Sequence, residues 1–272
     1  IVYLNEQTYL LRTFDIKYFN TKKNEYDALL KMKELDVKCS RPLDLGNIKN
    51  HQIGYMLLSY IEGNAAEEEL PLYSEEEQYS IGLEAGRELS KMHQYKTPPL
   101  IPSYYVRKTA KHKFNMNEYY DTEVKVKDDH KIISFIEENI GLIKGRPDVF
   151  QHDDFHVGNI IVSNKKLSGI IDFNRIDWGD PVHEFMKTGF FSAAVSVPFS
   201  IGQVRGYYNH VEPDVNFWKL YSLYVAMCVF ASVVWIRRTR PEETGQMIEK
   251  IYKVLDDHDY FEQIIPKWYE NS

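Results

Sequence analysis

The stretch His152-Asp153-Asp154-Phe155-His156-Val157-Gly158-Asn159 runs into Ile160-Ile161-Val162, a polar Ser163-Asn164-Lys165-Lys166, and then Leu167 to Ile171-Asp172-Phe173. Two short apolar runs separated by a turn-prone tetrapeptide predict a tight β-hairpin. The outer ends of a hairpin lie side by side, so Asn159 and Asp172, thirteen positions apart, become neighbours. Asp154 sits just upstream on the entering loop. Phosphoryl transfer from a nucleotide needs this combination. Asp154 would orient an attacking hydroxyl and accept its proton, while Asn159 and Asp172 would hold Mg2+ on the phosphates. A lone Asp-x-x-x-x-Asn carries little information, and an Asp-rich loop is most often a solvated turn. Both motifs in order, one hairpin apart and preceded by His152, argue for chemistry. His152 itself is expected to brace the loop as a buried histidine rather than move protons.

The segment from Gln151 to Glu184 resembles the catalytic segment of the aminoglycoside phosphotransferase family, small-molecule kinases that share a fold with the protein kinases. The family's usual His-Gly-Asp opening stands here as His152-Asp153-Asp154, a departure at the middle position. Gly179-Asp180-Pro181 with an acid at Glu184 also matches. The resemblance extends more weakly over nearly the whole chain. It implies an α+β, bilobal protein-kinase-like fold with a small antiparallel-sheet lobe and a larger, mainly helical one.

The pattern upstream agrees. Ile1 to Leu4 and Thr8 to Leu11 alternate around Asn5-Glu6-Gln7 as a hairpin, and a helix is expected from about Lys23 to Leu35. Pro42 starts another strand region, Tyr55 to Tyr60 reads as a buried strand, and Glu62-Gly63-Asn64 breaks the pattern. The expected boundary therefore divides an N-lobe, residues 1–62, from a C-lobe, residues 63–272. Beyond it, Ser74 and Glu77 form a capping box for a helix bearing Ile81, Ala85, Leu89 and Met92. Leu220 to Ile236 is nearly all apolar but reaches only the lower limit for crossing a bilayer. Its tyrosines, serines and Trp235 suit a core helix better.

On the nucleotide side, kinase-type sites place a cation on a small-lobe strand and steady it with an acid from the next helix. Arg12 ends the strand Tyr9-Leu10-Leu11-Arg12, and Glu25 lies early in the following helix. A guanidinium can fork onto carboxylate and phosphate together. By resemblance, the lobe connector Leu57 to Gly63 binds adenine through the Ser59 carbonyl and the Ile61 amide. The family also has a strand and phosphate-covering loop before the strand that carries Arg12. This sequence starts at Ile1 with at most one strand ahead of it, so that part of the nucleotide site is expected to be missing from it.

The acceptor side is less legible. Arg175 is a candidate contact for the transferring phosphate, with an ion pair to Asp177 or Asp180 as the alternative. Asp180 and Glu184 are expected to brace loops and cap helices. Asp256, Asp257, Asp259 and Glu262 read either as an attraction for a polycation or as a solvated helix end. Tyr104, Tyr105, Tyr119, Tyr120 and Trp178 read as a stacking wall or as core.

A net charge of −7 with pI near 5.8 argues against nucleic acid as a partner and fits a cationic or neutral small substrate better. Cys39 and Cys228 match no metal-ligand spacing, no stretch has the plan of a signal peptide, and no membrane partner is indicated. The expectation is a cytoplasmic kinase using ATP or GTP with Mg2+ to phosphorylate a hydroxyl of an aminoglycoside-like antibiotic. A metabolic kinase for choline or methylthioribose, or a nucleotide-binding module without transfer, remain the alternatives. A protein kinase is disfavoured: Glu184 follows Asp172 by only twelve positions, too few for a peptide-docking segment, and no Ala-Pro-Glu run intervenes.

Overall fold

The computed structural model of this chain describes residues 1–4, 7–48 and 51–270. The N-terminal lobe is built on a four-stranded antiparallel sheet of order β1-β2-β4-β3, with β1 Val2–Leu4, β2 Gln7–Asp15, β3 Pro42–Ile48 and β4 Ile53–Ser59. Strands β1 and β2 pair up to Leu4 opposite Gln7, so Gln7 belongs to the ladder. Asn5 and Glu6 of the expected hairpin turn lie outside the described residues.

Helix α1 spans Phe19–Glu34 and begins four residues before the expected start. The cause is local. The Asp15 side chain accepts a hydrogen bond from the Lys17 amide at 2.9 Å and starts a 3-10 turn, Ile16–Tyr18, that feeds directly into the helix. The helix covers one sheet face with buried Leu29 and Met32, against buried Met56 and Leu58 of β4.

The chain enters the C-terminal lobe through β5 Asn64–Ala65, which pairs with β7 Ile160–Ser163; β7 in turn pairs with β8 Lys166–Ile170. This is the expected hairpin with a shorter turn. Only Asn164 and Lys165 turn, at φ 49° and 61°. Two successive residues in the left-handed region suit the right-handed twist of the flanking strands. Lys166 is part of the strand. A third, two-stranded sheet joins β6 Val149–Gln151 to β9 Asp177–Gly179.

Helices make up the rest: α2 Ala66–Glu69, α3 Glu75–Met92, α4 Tyr104–Tyr120, α5 Asp129–Asn139, α6 Val197–Tyr207, α7 Val215–Thr239, α8 Thr244–Asp257 and α9 Lys267–Glu270. The capping box of α3 forms as expected: Ser74 Oγ accepts from the Glu77 amide at 3.3 Å, and Glu77 accepts from the Ser74 amide at 3.0 Å. Helix α3 packs on α6 through glycines. A Cβ on Gly82 or Gly86 would lie 2.1 Å from a carbonyl of α6, and one on Gly202 or Gly206 would lie 2.3 or 2.2 Å from a carbonyl of α3. Only glycine lets two backbones approach this closely.

Helix α7 is the central pillar. Its most apolar window has a mean hydropathy of 1.7, long and apolar enough to cross a membrane by composition, and 78% of that window is buried inside the fold. Tyr221, Tyr224 and Phe230 are fully enclosed. Tyr104 and Tyr119 are buried as well, and Trp178 packs edge-on against Tyr95 and Phe150. These aromatics are core.

Candidate active site

The loop between β6 and β7 carries His152 to Asn159 and is held at both ends. Glu184, buried to 1% exposure, accepts a hydrogen bond from the His152 amide at 2.8 Å. The His152 ring donates from Nε2 to the Ile171 carbonyl at 2.9 Å and packs edge-on against Phe155 and Phe173. The opening of the loop is thereby tied to the residue before Asp172. Asp153 and Asp172 both adopt left-handed backbone, φ 60° and 67°. Non-glycine residues in that region are uncommon and cluster at functional sites. The conformation of Asp153 explains why glycine suits the middle position of the motif.

Asp154 is the focus of the charge. Its Oδ1 accepts from Lys187 Nζ at 2.9 Å and lies 3.6 Å from His156 Nε2, while Arg175 Nε approaches Oδ2 to 3.9 Å. Burial works to raise its pKa, but Lys187, with Arg175 behind it, holds the carboxyl below the usual carboxylate range. The Lys187 ammonium is raised in return, the pull of Asp154 outweighing its burial. His156 is pushed down to about 4 by burial and is neutral. Its Nδ1 accepts from the Gly158 amide at 3.1 Å, which fixes the ring.

Asn159 donates its side-chain amide to the Asp154 carbonyl at 2.9 Å. That leaves Oδ1 as the acceptor turned to the other side. The Ile171 amide donates to the Asn159 carbonyl at 3.0 Å, one step beyond the Ile160–Ile170 pair, so Asn159 and Asp172 close the open end of the hairpin together. Asn159 and Asp172 are thus brought near each other along the backbone, and an amide oxygen with a carboxylate is a hard-oxygen donor pair of the kind Mg2+ takes from protein, with waters and phosphates completing the octahedron. No group of three His, Cys, Asp or Glu side chains forms a metal site among the described residues.

Arg12 lies opposite Met56 in the β2–β4 ladder, and directly paired residues share a face, so Arg12 points toward α1. There it forms an ion pair with Glu25, which is 3% exposed. Lys22 takes the other carboxylate oxygen at 2.8 Å. Helix α1 also packs against the turn Phe173–Arg175 that follows Asp172. Ser59 closes β4 opposite Tyr9, its Oγ accepting from the Arg41 amide at 2.7 Å. Ile61 lies two residues on in the connector, its side chain against Gly169 of the hairpin.

Arg175 makes neither of the expected ion pairs. Asp177 is held by Arg107 at 3.1 Å and Asp180 by Arg146 at 2.7 Å, so Arg175 is left facing Asp154, with its guanidinium 5.6 Å from the centre of the Trp235 ring. Asp180 is fully buried, also accepts from Tyr224 at 2.8 Å, and caps the Val182 amide at 3.0 Å. Lys187 and His156 were not singled out from sequence as site residues. Lys187 sits three positions after Glu184, a spacing with no motif to announce it.

The sequence model of the phosphotransferase enzyme family, APH, matches residues 1–218. The chain belongs to that family. It is a phosphotransferase, a small-molecule kinase built on the fold the structure shows. This phosphotransferase resembles the gentamicin complex of APH(2")-IIa, with a TM-score of 0.64 and 17% identity, covering 91% of this chain and 85% of that one. It resembles the ternary complex of a thermostable APH(4)-Ia with AMP-PNP and hygromycin B, at TM-score 0.67 and 13% identity, over 93% and 87% of the chains. ADP-bound APH(2'')-Ib gives a TM-score of 0.60 at 16% identity, over 97% and 88%. A search of curated proteins finds no match.

Proposed function

We propose that this phosphotransferase moves the γ-phosphoryl group of a nucleoside triphosphate onto a hydroxyl of a small molecule bound beside Asp154. The observation that carries the reading is the placement of Asp154 and Asn159 on one loop, with Asp172 beside Asn159 at the end of the hairpin. In the transfer, the acceptor oxygen forms a bond to the γ-phosphorus as the bond to the β,γ-bridging oxygen breaks, and the nucleoside diphosphate leaves. The hydroxyl proton passes to Asp154. A carboxylate held below its usual range is a weak base, which suits a loose transition state in which the hydroxyl gives up its proton late. Its main contribution is orientation. Asn159 Oδ1 and the Asp172 carboxylate would hold Mg2+, which neutralises charge on the phosphates. Arg12, steadied by Glu25, would hold phosphate oxygens, and Arg175 would face the transferring group.

Nucleotide complexes among the similar structures support the donor assignment, and the aminoglycosides in two of them support the expected acceptor class. A metabolic acceptor of another kind is favoured by one observation, the charge of the pocket described below. The test is Mg2+-dependent nucleotide consumption over a panel of hydroxyl acceptors, with Asp154→Asn as the control. Loss of a general base typically costs ~10²–10⁴-fold, with nucleotide binding retained. Full activity in Asp154→Asn on a confirmed acceptor would refute the assignment.

A further inference from the structure

The cavity that opens on Asp154 has a volume of about 610 Å³. Seven Lys and Arg side chains line it against three Asp and Glu, in a chain whose overall balance is 33 to 40 the other way. Within the lining Asp154 pairs with Lys187 at 2.9 Å and Glu243 with Arg240 at 3.3 Å, and Arg238 pairs with Glu118 outside it. The third acid, Asp153, is pushed up to about 6 by burial, remains mostly ionised near pH 7, and sets one negative charge against several cations. Lys108, Lys111 and Lys250 form no ion pair with any described carboxylate. Lys108 donates to His183 Nε2 at 2.5 Å, and burial together with neighbouring Lys111 pushes it down to about 8. Lys250 and Lys187 stand over the Phe191 ring at 4.9 and 5.3 Å. Like charges gathered in one concavity repel each other, and a bound anion relieves that cost.

A polycationic acceptor would meet this lining with repulsion. We infer that the acceptor is an anionic alcohol, a small hydroxyl compound carrying a carboxylate or phosphate group. Its hydroxyl would face Asp154 and its anionic group Lys108, Lys111 and Lys250. The inference rests on the kinase reading given above. Trp235, Met227 and Met247 also line the cavity and offer an apolar wall for the carbon frame.

The experiment measures nucleotide consumption and calorimetric binding, with Mg2+ and a non-hydrolysable nucleotide for the latter. The acceptors all carry at least one hydroxyl and differ in charge: gluconate and glucuronate, glucose 6-phosphate and glycerol 3-phosphate, glucose, kanamycin and choline. The carboxylates and phosphates distinguish the two anion sources. At least one anionic member is expected to bind and turn over, with glucose, kanamycin and choline at least tenfold weaker, about 1.4 kcal/mol. Lys111→Glu and Lys250→Glu, both at exposed positions, should each weaken the anionic ligand tenfold or more while leaving nucleotide affinity unchanged. Preference for kanamycin or choline, equal treatment of charged and neutral members, or silence from every anion overturns the inference and leaves the kinase reading standing. Failure to bind Mg2+-nucleotide would instead count against the kinase reading.

Discussion

Glu184 gives the sharpest test of how the catalytic loop is held. Its carboxyl is 1% exposed, Oε2 accepts from the His152 amide at 2.8 Å, and Oε1 is buried without a hydrogen-bond partner. His93 Nε2 lies 3.8 Å away, but burial pushes that ring down to about 3, so it is neutral and offers no counter-charge. Burial accordingly drives Glu184 up from 4.5 to about 7, against smaller lowering contributions from His152, Asp153 and Lys187. Between those two values the folded chain holds a proton that the unfolded chain has released. Stability must then fall as pH rises through this window, with no cost below it and the full cost above it. At about 1.4 kcal/mol per unit, the gap corresponds to roughly 3 kcal/mol. Glu184→Gln keeps an acceptor for the His152 amide and cannot ionise. Urea unfolding of both proteins from pH 4.5 to 8.5, followed by tryptophan fluorescence, isolates this one group. Titrations common to both, Asp153 among them, cancel to first order in the difference. Relative to the native protein, the variant should gain roughly 3 kcal/mol between the acid and alkaline ends. A constant offset from altered packing would shift that curve without tilting it. A difference that does not vary with pH would refute the reasoning.

Two further outcomes test other parts of the fold. Glu25→Gln keeps one acceptor but loses the charge shared by Arg12 and Lys22. Calorimetric titration should show nucleotide affinity falling about tenfold, 1.4 kcal/mol, and kinetics should show KM for nucleotide rising more than kcat falls. Its effect on stability should be only about 1 kcal/mol, because the two cations retain 29% and 20% exposure. Gly202→Ala places a Cβ 2.3 Å from the Tyr79 carbonyl and 3.0 Å from the Leu83 amide. The helix pair must separate, at a cost of ~3 kcal/mol or more, read as a fall in Tm. Gly141→Ala, with nothing within 4 Å, should stay within about 0.5 kcal/mol.

The legible parts of the sequence were those in which local chemistry determines local geometry. The hairpin after Asn159 could be read because two short, largely apolar runs flank a polar turn, and the turn alone then brings Asn159 to Asp172. Ser74 with Glu77 marks a helix start wherever it occurs. Pairing Arg12 with Glu25 needed only the order of a strand and a helix. The misplaced start of α1 has an equally local cause, since the Asp15 cap lies eight residues before Lys23 and acts through a short 3-10 turn. The glycine contact between α3 and α6 was missed. Gly82, Gly86, Gly202 and Gly206 recur at a spacing of four within each helix, but the two pairs lie far apart in sequence.

The acceptor side shows where such reading stops. Its lining comes from α4, the loop at Asp153 to His156, Arg175, the segment around Lys187, α7, and the turn and helix α8 that follow it. The one global clue available, a net charge of −7, pointed to a cationic or neutral ligand, but charge summed over a surface says little about one concavity, whose lining here carries more cations than acids. The acids that were candidates for attracting a polycation face elsewhere. Asp256 pairs with Lys267 at 3.3 Å and Glu262 with Lys131 at 3.1 Å, and neither lines the cavity. The proposed catalytic residues lie close in sequence, so one segment was enough to suggest them. The side chains around the acceptor cavity are brought together only by the packing of segments far apart in sequence. On the proposed anionic acceptor, this chain would combine the family's catalytic segment with an acceptor of charge opposite to that of an aminoglycoside.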